Sequence, residues 1–157
     1  YNVHTAGGSE MMKKAVESAD KVSMERGSTR PLVIGVTVLT SINQSILENE
    51  MGISRSVEEQ VVSWARLAKE SGLDGVVASP KEIRAIREAC GNSFVIITPG
   101  VRPEWAAAND QKRVMTPREA VAAGASYLVV GRPITAAADP VDAAKRIVIE
   151  MEEGLKC

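Results

Sequence analysis

The chain alternates between short apolar runs and amphipathic helical patterns, and this alternation constrains its fold more than any other feature. Five runs have the length and composition of strands, and each is followed by at least one segment with helical periodicity. The predicted strands cover residues 1–4, 31–39, 75–78, 94–98 and 127–130. A repeated strand–helix order predicts an α/β protein in which helices cover a parallel sheet.

Capping residues and glycines mark the predicted helix boundaries. Ser56, with Glu59 three residues later, predicts a capping box, and Gly72 ends the helix that follows. A proline in the first turn marks two further helix starts, after Thr116 and after Asp139. The predicted helices cover residues 9–25, 43–50, 56–71, 79–90, 116–124 and 139–153, with a short helical turn at 134–138.

Two architectures are compatible with this order of elements: an open doubly wound sheet and a (β/α)8 barrel. Barrels typically need about 250 residues, and the chain has 157. A barrel would therefore need about three further strands, which we expect ahead of residue 1, because residues 1–4 resemble the end of a strand. We expect residues 1–157 to form a single domain, the C-terminal portion of a barrel that lacks its N-terminal strands.

The composition argues against several classes of partner. The net charge is −1, the isoelectric point is about 6.0 and aromatic residues make up 3% of the chain, which disfavours a nucleic-acid partner. No apolar run approaches the roughly 20 residues that a membrane helix requires. Cys90 and Cys157 lack the spacing of a metal site, and we expect both to be reduced in a cytoplasmic protein.

Polar residues that could bind an anion follow the last two predicted strands. Arg102 and Gln111 lie in a long loop after the fourth strand, and Gly131 and Arg132 follow the fifth. Ligands bind at the carboxyl ends of the strands in parallel α/β proteins. Arginine presents a planar fork of donors suited to a phosphate, and glycine leaves room for an oxyanion. The pattern predicts capture of a phosphorylated small molecule.

Six motifs, taken in order and with their spacing, resemble one family. They begin with Asn2-Val3-His4-Thr5-Ala6-Gly7-Gly8 and end with Val130-Gly131-Arg132-Pro133-Ile134-Thr135; between them lie residues 36–41, 72–77, 98–103 and 110–113. Together they span nearly the whole chain and resemble the bacterial-type orotidine 5′-monophosphate decarboxylases.

The resemblance implies a (β/α)8 barrel that works as a homodimer without a cofactor or metal. It implies conversion of orotidine 5′-monophosphate to uridine 5′-monophosphate in de novo pyrimidine biosynthesis, with this chain covering strands four to eight. The family's catalytic Asp-x-Lys-x-x-Asp motif belongs to strand three and does not occur here; Asp74 and Asp110 lie in other motifs. We therefore assign no catalytic residue and expect the isolated chain to be inactive.

Substrate-binding roles can be carried over residue by residue. Thr40 matches a threonine near the pyrimidine, and the neighbouring Ser41 is a further candidate. Gln111 and Arg102 match contacts in the loop after the seventh barrel strand, where the glutamine bridges base and phosphate. Gly131 and Arg132 match the family's phosphate-binding residues after the eighth strand.

Other interpretations of these residues remain open. Thr40 could instead cap the helix at 43–50. His4 fits a strand-end histidine that is hydrogen-bonded to a neighbour better than a general base, and Trp105 fits a lid or an interface contact. The whole chain could belong to another phosphate-binding barrel enzyme, such as a sugar-phosphate decarboxylase, or could be a non-catalytic phosphate-binding module.

Overall fold

The computed structural model describes residues 1–106 and 115–156. Its five strands are β1 (Asn2–His4), β2 (Ile34–Val36), β3 (Gly75–Val77), β4 (Val95–Pro99) and β5 (Tyr127–Val129). Its α-helices are α1 (Gly8–Arg26), α2 (Gln44–Asn49), α3 (Val57–Glu70), α4 (Ile83–Cys90), α5 (Pro117–Ala122), α6 (Arg132–Thr135) and α7 (Pro140–Gly154). Short 3-10 turns at Thr5–Gly7 and Pro80–Glu82 precede α1 and α4.

All five strands pair in parallel, and their order in the sheet is the order in the chain. A doubly wound sheet reverses its strand order at a switch point, whereas a barrel does not. Because strand crossovers in parallel sheets are right-handed, sequential strands place all their helices on one face. The observed order therefore favours a barrel segment over the doubly wound alternative.

The helices cover one face of the sheet, which is the outer face in a barrel, and the hydrophobic core lies between this face and the helices. Val76 and Ile96 from the sheet and Val61 from α3 are fully buried in one cluster. Gly35 faces this layer: a Cβ there would lie 2.7 Å from Thr5 Cγ2 and 3.4 Å from the Cβ of Ala68 on α3, so the glycine makes room for both. Outer-face packing of this kind holds each helix against the strands that flank it.

The opposite face of the sheet is only partly covered by the described residues. His4, Val36, Val77, Ile97 and Tyr127 share one row across the five strands. Since Gly35 faces α3, the side chain of Val36 points to the other side, and its partners in the row point with it. Tyr127, at the end of this row, keeps 57% of its surface exposed. In a barrel, this face is the interior.

Helix α7 likewise uses only part of its apolar surface. Ala143 and Ile147 are buried, but Val141, Val148 and Leu155 are exposed. These three residues are seven apart and share one side of the helix. The described part of the chain thus leaves an apolar stripe on its last helix.

None of the helices in the described ranges is long and apolar enough to cross a bilayer.

The predicted elements are found in the predicted order, with different boundaries. The predicted strand at 31–39 contracts to Ile34–Val36, because Val33 and Thr37 form bonds beyond the regular ladder, to Asp74 and Val77 respectively. The predicted helix at 79–90 divides into a 3-10 turn and α4, and the turn expected at 134–138 begins earlier, as α6. The capping box at Ser56 is confirmed.

A charged cluster ties the amino ends of β2 and β3 together. Asp74 Oδ2 accepts hydrogen bonds from the Val33 N–H and from Arg30 Nη1, both at 2.7 Å. Arg30 also donates to Asp20 on α1. The hydrogen bonds to Asp74 and then to Asp20 raise the pKa of the Arg30 guanidinium. This cluster lies at the amino edge of the sheet, where barrel residues serve stability.

The guanidinium of Arg87 fixes the amino ends of β4 and β5. It donates to the Gly124 carbonyl through Nε at 3.0 Å and Nη2 at 2.7 Å, and to Ser126 Oγ at 3.0 Å. Its Nη1 donates to the carbonyls of Gly91, Asn92 and Phe94. Burial lowers the pKa of Arg87. One side chain thus joins α4 to the two loops that lead into the last strands.

We expect Asp74→Ala to lower the free energy of unfolding by about 2 kcal/mol, because it removes the acceptor of both Val33 and Arg30. Asp74→Asn should cost less, since its amide oxygen can still accept from the Val33 N–H. Urea unfolding measures both changes, with Glu88→Ala, an exposed carboxylate on α4, as the control. If both Asp74 variants lowered the free energy of unfolding equally, the hydrogen bond that Asp74→Asn keeps with the Val33 N–H would contribute nothing to stability, contrary to this prediction.

Arg87→Lys should destabilise the chain by about 2 kcal/mol, because an ammonium cannot reach acceptors on two loops at once. Arg84→Lys, at an exposed position of the same helix, should change the unfolding free energy by less than about 0.5 kcal/mol. Thermal or urea unfolding of both variants provides the comparison. A tolerated Arg87→Lys would show that the fork geometry is dispensable.

Candidate functional site

A cavity of about 240 Å³ opens at the carboxyl ends of β2, β3 and β4. Val36, Val77 and Pro99 form its apolar wall, and Thr40 and Ser41 supply its hydroxyl groups. The remaining lining residues are Val38, Leu39 and Ala78. The cavity lies at the edge of the sheet where parallel α/β proteins bind ligands.

A second depression, of about 650 Å³, runs along the outer surface of α3. Exposed charged side chains such as Arg55, Glu58 and Arg66 line much of it. It lies away from the strand ends, and it brings none of the sequence-predicted site residues together. We therefore assign the functional site to the smaller cavity.

Thr40 is partly buried and lines the cavity. Its alternative role as a helix cap is wrong, because Asn43 caps α2. The Asn43 side chain accepts a hydrogen bond from the Ile46 N–H at 3.0 Å. The residues between β2 and α2 thus present hydroxyl groups to the cavity.

Arg102 is buried, with 8% of its surface exposed, and lies three residues after the end of β4. Its Nη1 donates to the Val101 carbonyl at 2.8 Å, and its backbone N–H donates to the Met115 carbonyl at 3.0 Å. Val101 and Met115 form a parallel bridge that joins the two ends of the loop. This bridge holds the two ends of the loop together, with Arg102 beside it.

Gly131 is the N-cap of α6, in the turn after β5, and Arg132 follows it. The Gly131 carbonyl accepts from the Ile134 N–H at 2.8 Å, and Arg132 is exposed as the first residue of α6. A Cβ at Gly131 would meet no heavy atom within 4 Å beyond its chain neighbours. The space around this backbone is open, which matches the room that an approaching oxyanion requires.

The parallel sheet brings four of the five predicted site residues to one edge. Thr40 follows β2, Arg102 follows β4, and Gly131 and Arg132 follow β5. Because Pro99 pairs with Val129, the segments carrying Arg102 and Arg132 leave neighbouring strands at the same level. Gln111 lies outside the described residues, as do Asp110 and Cys157.

The structure assigns Asp74 to the amino edge, opposite the cavity, where Val33 and Arg30 bind its carboxylate. It has no place in the site. Cys90 is buried with a free thiol, and its burial raises the thiol pKa. Among the described residues, no group of three or more histidine, cysteine or acidic side chains could hold a metal ion.

Sequence reasoning missed the apolar wall of the cavity and the position of His4. His4 is exposed at the carboxyl end of β1, in the same inner row as Val36 and Val77. No hydrogen bond from its side chain caps the 3-10 turn that follows. The period of two along each strand could have shown which residues share a face, but which face is the inner one depends on where the helices pack.

Known proteins resemble the chain along almost its entire length. Residues 1–147 match the model of the orotidine 5′-phosphate decarboxylase / HUMPS family. The orotidine 5′-phosphate decarboxylase of Heliobacterium modesticaldum is 60% identical over 155 residues, covering 99% of this chain and 64% of the relative. That of Moorella thermoacetica is 59% identical over 151 residues, covering 96% and 60% respectively.

Solved structures extend the similarity to the fold. The crystal structure of orotidine 5′-phosphate decarboxylase from Lactobacillus acidophilus superposes with a TM-score of 0.80 at 40% identity. The match covers 96% of this chain and 62% of that one. The corresponding enzyme from Pyrococcus horikoshii has a TM-score of 0.59 at 25% identity, covering 96% and 60%.

These similarities confirm the predicted α/β fold and its origin in a (β/α)8 barrel. The chain spans less than two thirds of the length of the curated relatives, which agrees with five strands out of eight. Sequence motifs, sheet order and structural similarity agree, and the chain belongs to the orotidine 5′-phosphate decarboxylase / HUMPS family.

Proposed function

We propose that this chain is the substrate-binding portion of an orotidine 5′-monophosphate decarboxylase, a carbon–carbon lyase of pyrimidine biosynthesis. The observation that carries the proposal is the placement of Arg102 and Arg132 after neighbouring strands, at the same edge of the sheet as the cavity that Thr40 lines. The relatives described above carry the decarboxylase name, which favours this reaction over the other activity in the family description.

In the proposed complex, Arg102, Gly131 and Arg132 hold the phosphate of the nucleotide. Two guanidinium groups can each donate two parallel hydrogen bonds to phosphate oxygens. The open backbone at Gly131 lets an oxygen approach the start of α6. We also assign Gln111 to this group, where its amide would bridge the phosphate and the base.

The pyrimidine would occupy the cavity at the ends of β2–β4. Its apolar wall of Val36, Val77 and Pro99 displaces water, and Thr40 provides a directional hydrogen-bonding group. Exclusion of water by this wall strengthens any electrostatic interaction with the reacting ring. Loss of CO2 leaves an electron pair on C6 of the pyrimidine, so the reaction depends on such stabilisation and on a proton donor.

The described residues provide binding, and the chemistry requires groups that the sequence lacks. The Asp-x-Lys-x-x-Asp set that would stabilise and protonate C6 does not occur in the 157 residues. Remote phosphate binding then serves the reaction by holding the pyrimidine in the geometry that the charged set requires. No cofactor enters this proposal.

We further propose that residues 1–157 are the C-terminal portion of a single barrel domain. Two exposed apolar surfaces support this: the inner sheet face at Tyr127 and Val129, and the stripe of Val141, Val148 and Leu155 on α7. The remaining strands and helices of a barrel would cover both surfaces. The proposed assembly is a homodimer in the cytoplasm, and the free thiol of Cys90 is compatible with a reducing compartment.

The proposal predicts that the chain binds uridine 5′-monophosphate more tightly than uridine. Arg132→Gln should reduce that preference by about tenfold or more, since a charge-assisted hydrogen bond contributes about 1.5–3 kcal/mol. Isothermal titration calorimetry at low salt measures both ligands, with Arg84→Gln, an exposed arginine on α4, as the matched control. Equal affinity for the nucleotide and the nucleoside would contradict the phosphate site.

The isolated chain should not decarboxylate orotidine 5′-monophosphate, because the charged set is absent from it. Release of labelled CO2 measures turnover, with the decarboxylase of Heliobacterium modesticaldum as the positive control. Turnover by the 157 residues above the uncatalysed background would falsify the assignment of the chemistry to groups outside this sequence.

A further inference from the structure

Trp105 makes two directed contacts with the last helix. Its indole Nε1–H donates to Glu150 Oε1 at 3.2 Å, and the guanidinium carbon of Arg146 lies 4.3 Å from the centre of its ring. Arg146 and Glu150 are four residues apart on α7 and therefore share one face of the helix. We refer to Trp105, Arg146 and Glu150 as the indole clamp.

Hydrophobic burial does not account for these contacts. Trp105 keeps 38% of its surface exposed, and it borders a cavity of about 190 Å³ that Glu104, Thr116 and Arg118 also line. The ring receives a cation on its face and places its only polar atom on a carboxylate. Tryptophan suits both contacts, because its face attracts cations most strongly and its N–H donates.

The indole clamp connects the segments that carry the two proposed phosphate arginines. Trp105 is three residues after Arg102, in a turn closed by the Ala106 N–H and the Pro103 carbonyl at 3.0 Å. On the other side, α7 packs against α6, whose first residue is Arg132. Helix α7 is thus in contact with the segments that carry each arginine.

We propose that Trp105 is a positioning residue that holds Arg102 at a fixed separation from Arg132, for recognition of the nucleotide phosphate. This inference rests on the proposed function. A loop that is already attached to α7 loses little conformational freedom when the phosphate binds, so its arginine binds more strongly. Detachment of the loop would weaken phosphate binding without changing any group that touches the ligand.

The test uses three variants of the whole chain and one matched control. Trp105→Ala removes both contacts, Trp105→Phe keeps the aromatic face for Arg146, and Glu150→Gln weakens the bond to the indole. Glu152→Gln removes a charge from an exposed position of the same helix and serves as the control.

Amide hydrogen exchange provides the first readout, because it reports the order of the loop without any ligand. The N–H groups of Arg102 and Ala106, both hydrogen-bonded, should exchange about tenfold faster in Trp105→Ala. The effect should be smaller in Trp105→Phe and in Glu150→Gln, and absent in Glu152→Gln. Amides of β3 should be unchanged, which separates local detachment from loss of overall stability.

Nucleotide affinity provides the second readout. Trp105→Ala should weaken binding of uridine 5′-monophosphate by about tenfold while the affinity for uridine stays constant. In the Arg102→Ala background, the same substitution should have little further effect, because the residue it positions is gone. A merely structural role would weaken both ligands in both backgrounds.

The outcomes test two hypotheses separately: that Trp105 attaches the loop to α7, and that this attachment supports phosphate binding. Unchanged exchange at Arg102 and Ala106 in Trp105→Ala overturns the clamp, whether or not nucleotide binds. Faster exchange with unchanged nucleotide affinity overturns its role in phosphate recognition. If the wild-type chain binds uridine 5′-monophosphate no more tightly than uridine, the proposed function is wrong, and so is the role of Trp105 in phosphate recognition. Faster exchange in Trp105→Ala would then still show that Trp105 attaches the loop to α7. If Trp105→Ala fails to fold, Trp105→Phe and Glu150→Gln decide the question.

Discussion

Parallel pairing of the strands in chain order is the constraint on which the other features of this structure depend. Because every strand runs in the same direction, every loop that leaves a strand emerges at one edge of the sheet. Thr40, Arg102 and Arg132 are far apart in the sequence, yet all three are brought to this edge. A reversal of one strand would move its loop to the opposite edge and separate the residues of the site.

The two edges of the sheet have different physical roles. At the amino edge, Asp74 and Arg87 use charged side chains to satisfy backbone groups of the incoming loops. These bonds fix the loops that lead into β2 to β5. At the carboxyl edge, the backbone around Gly131 is open and a cavity separates the loops. The stabilising clusters and the proposed binding site therefore lie at opposite ends of the strands.

The sequence allowed much of the fold and part of the site to be predicted. The five strands and the helix caps at Ser56 and Asp139 follow from local patterns, because apolar runs and capping side chains act over a few residues. The role of Asn43 as the cap of α2 was missed, since Thr40 offers another side-chain oxygen three residues earlier. The placement of His4 on the inner face was also missed, because it depends on which face the helices cover.

By itself, the sequence determined the order of the elements, the family and the types of side chain available for a phosphate. These properties are local or lie in short motifs, so they can be recognised without knowledge of the packing. The order of elements left a barrel segment and a doubly wound sheet open; the family resemblance implied the barrel, and the strand order in the tertiary structure supports it. Only the tertiary structure assigned Asp74 to the edge away from the cavity. It also paired Arg87 with Gly124 and Trp105 with Glu150, 37 and 45 residues apart. Contacts at such separations arise from sheet register and helix packing, which no local pattern encodes.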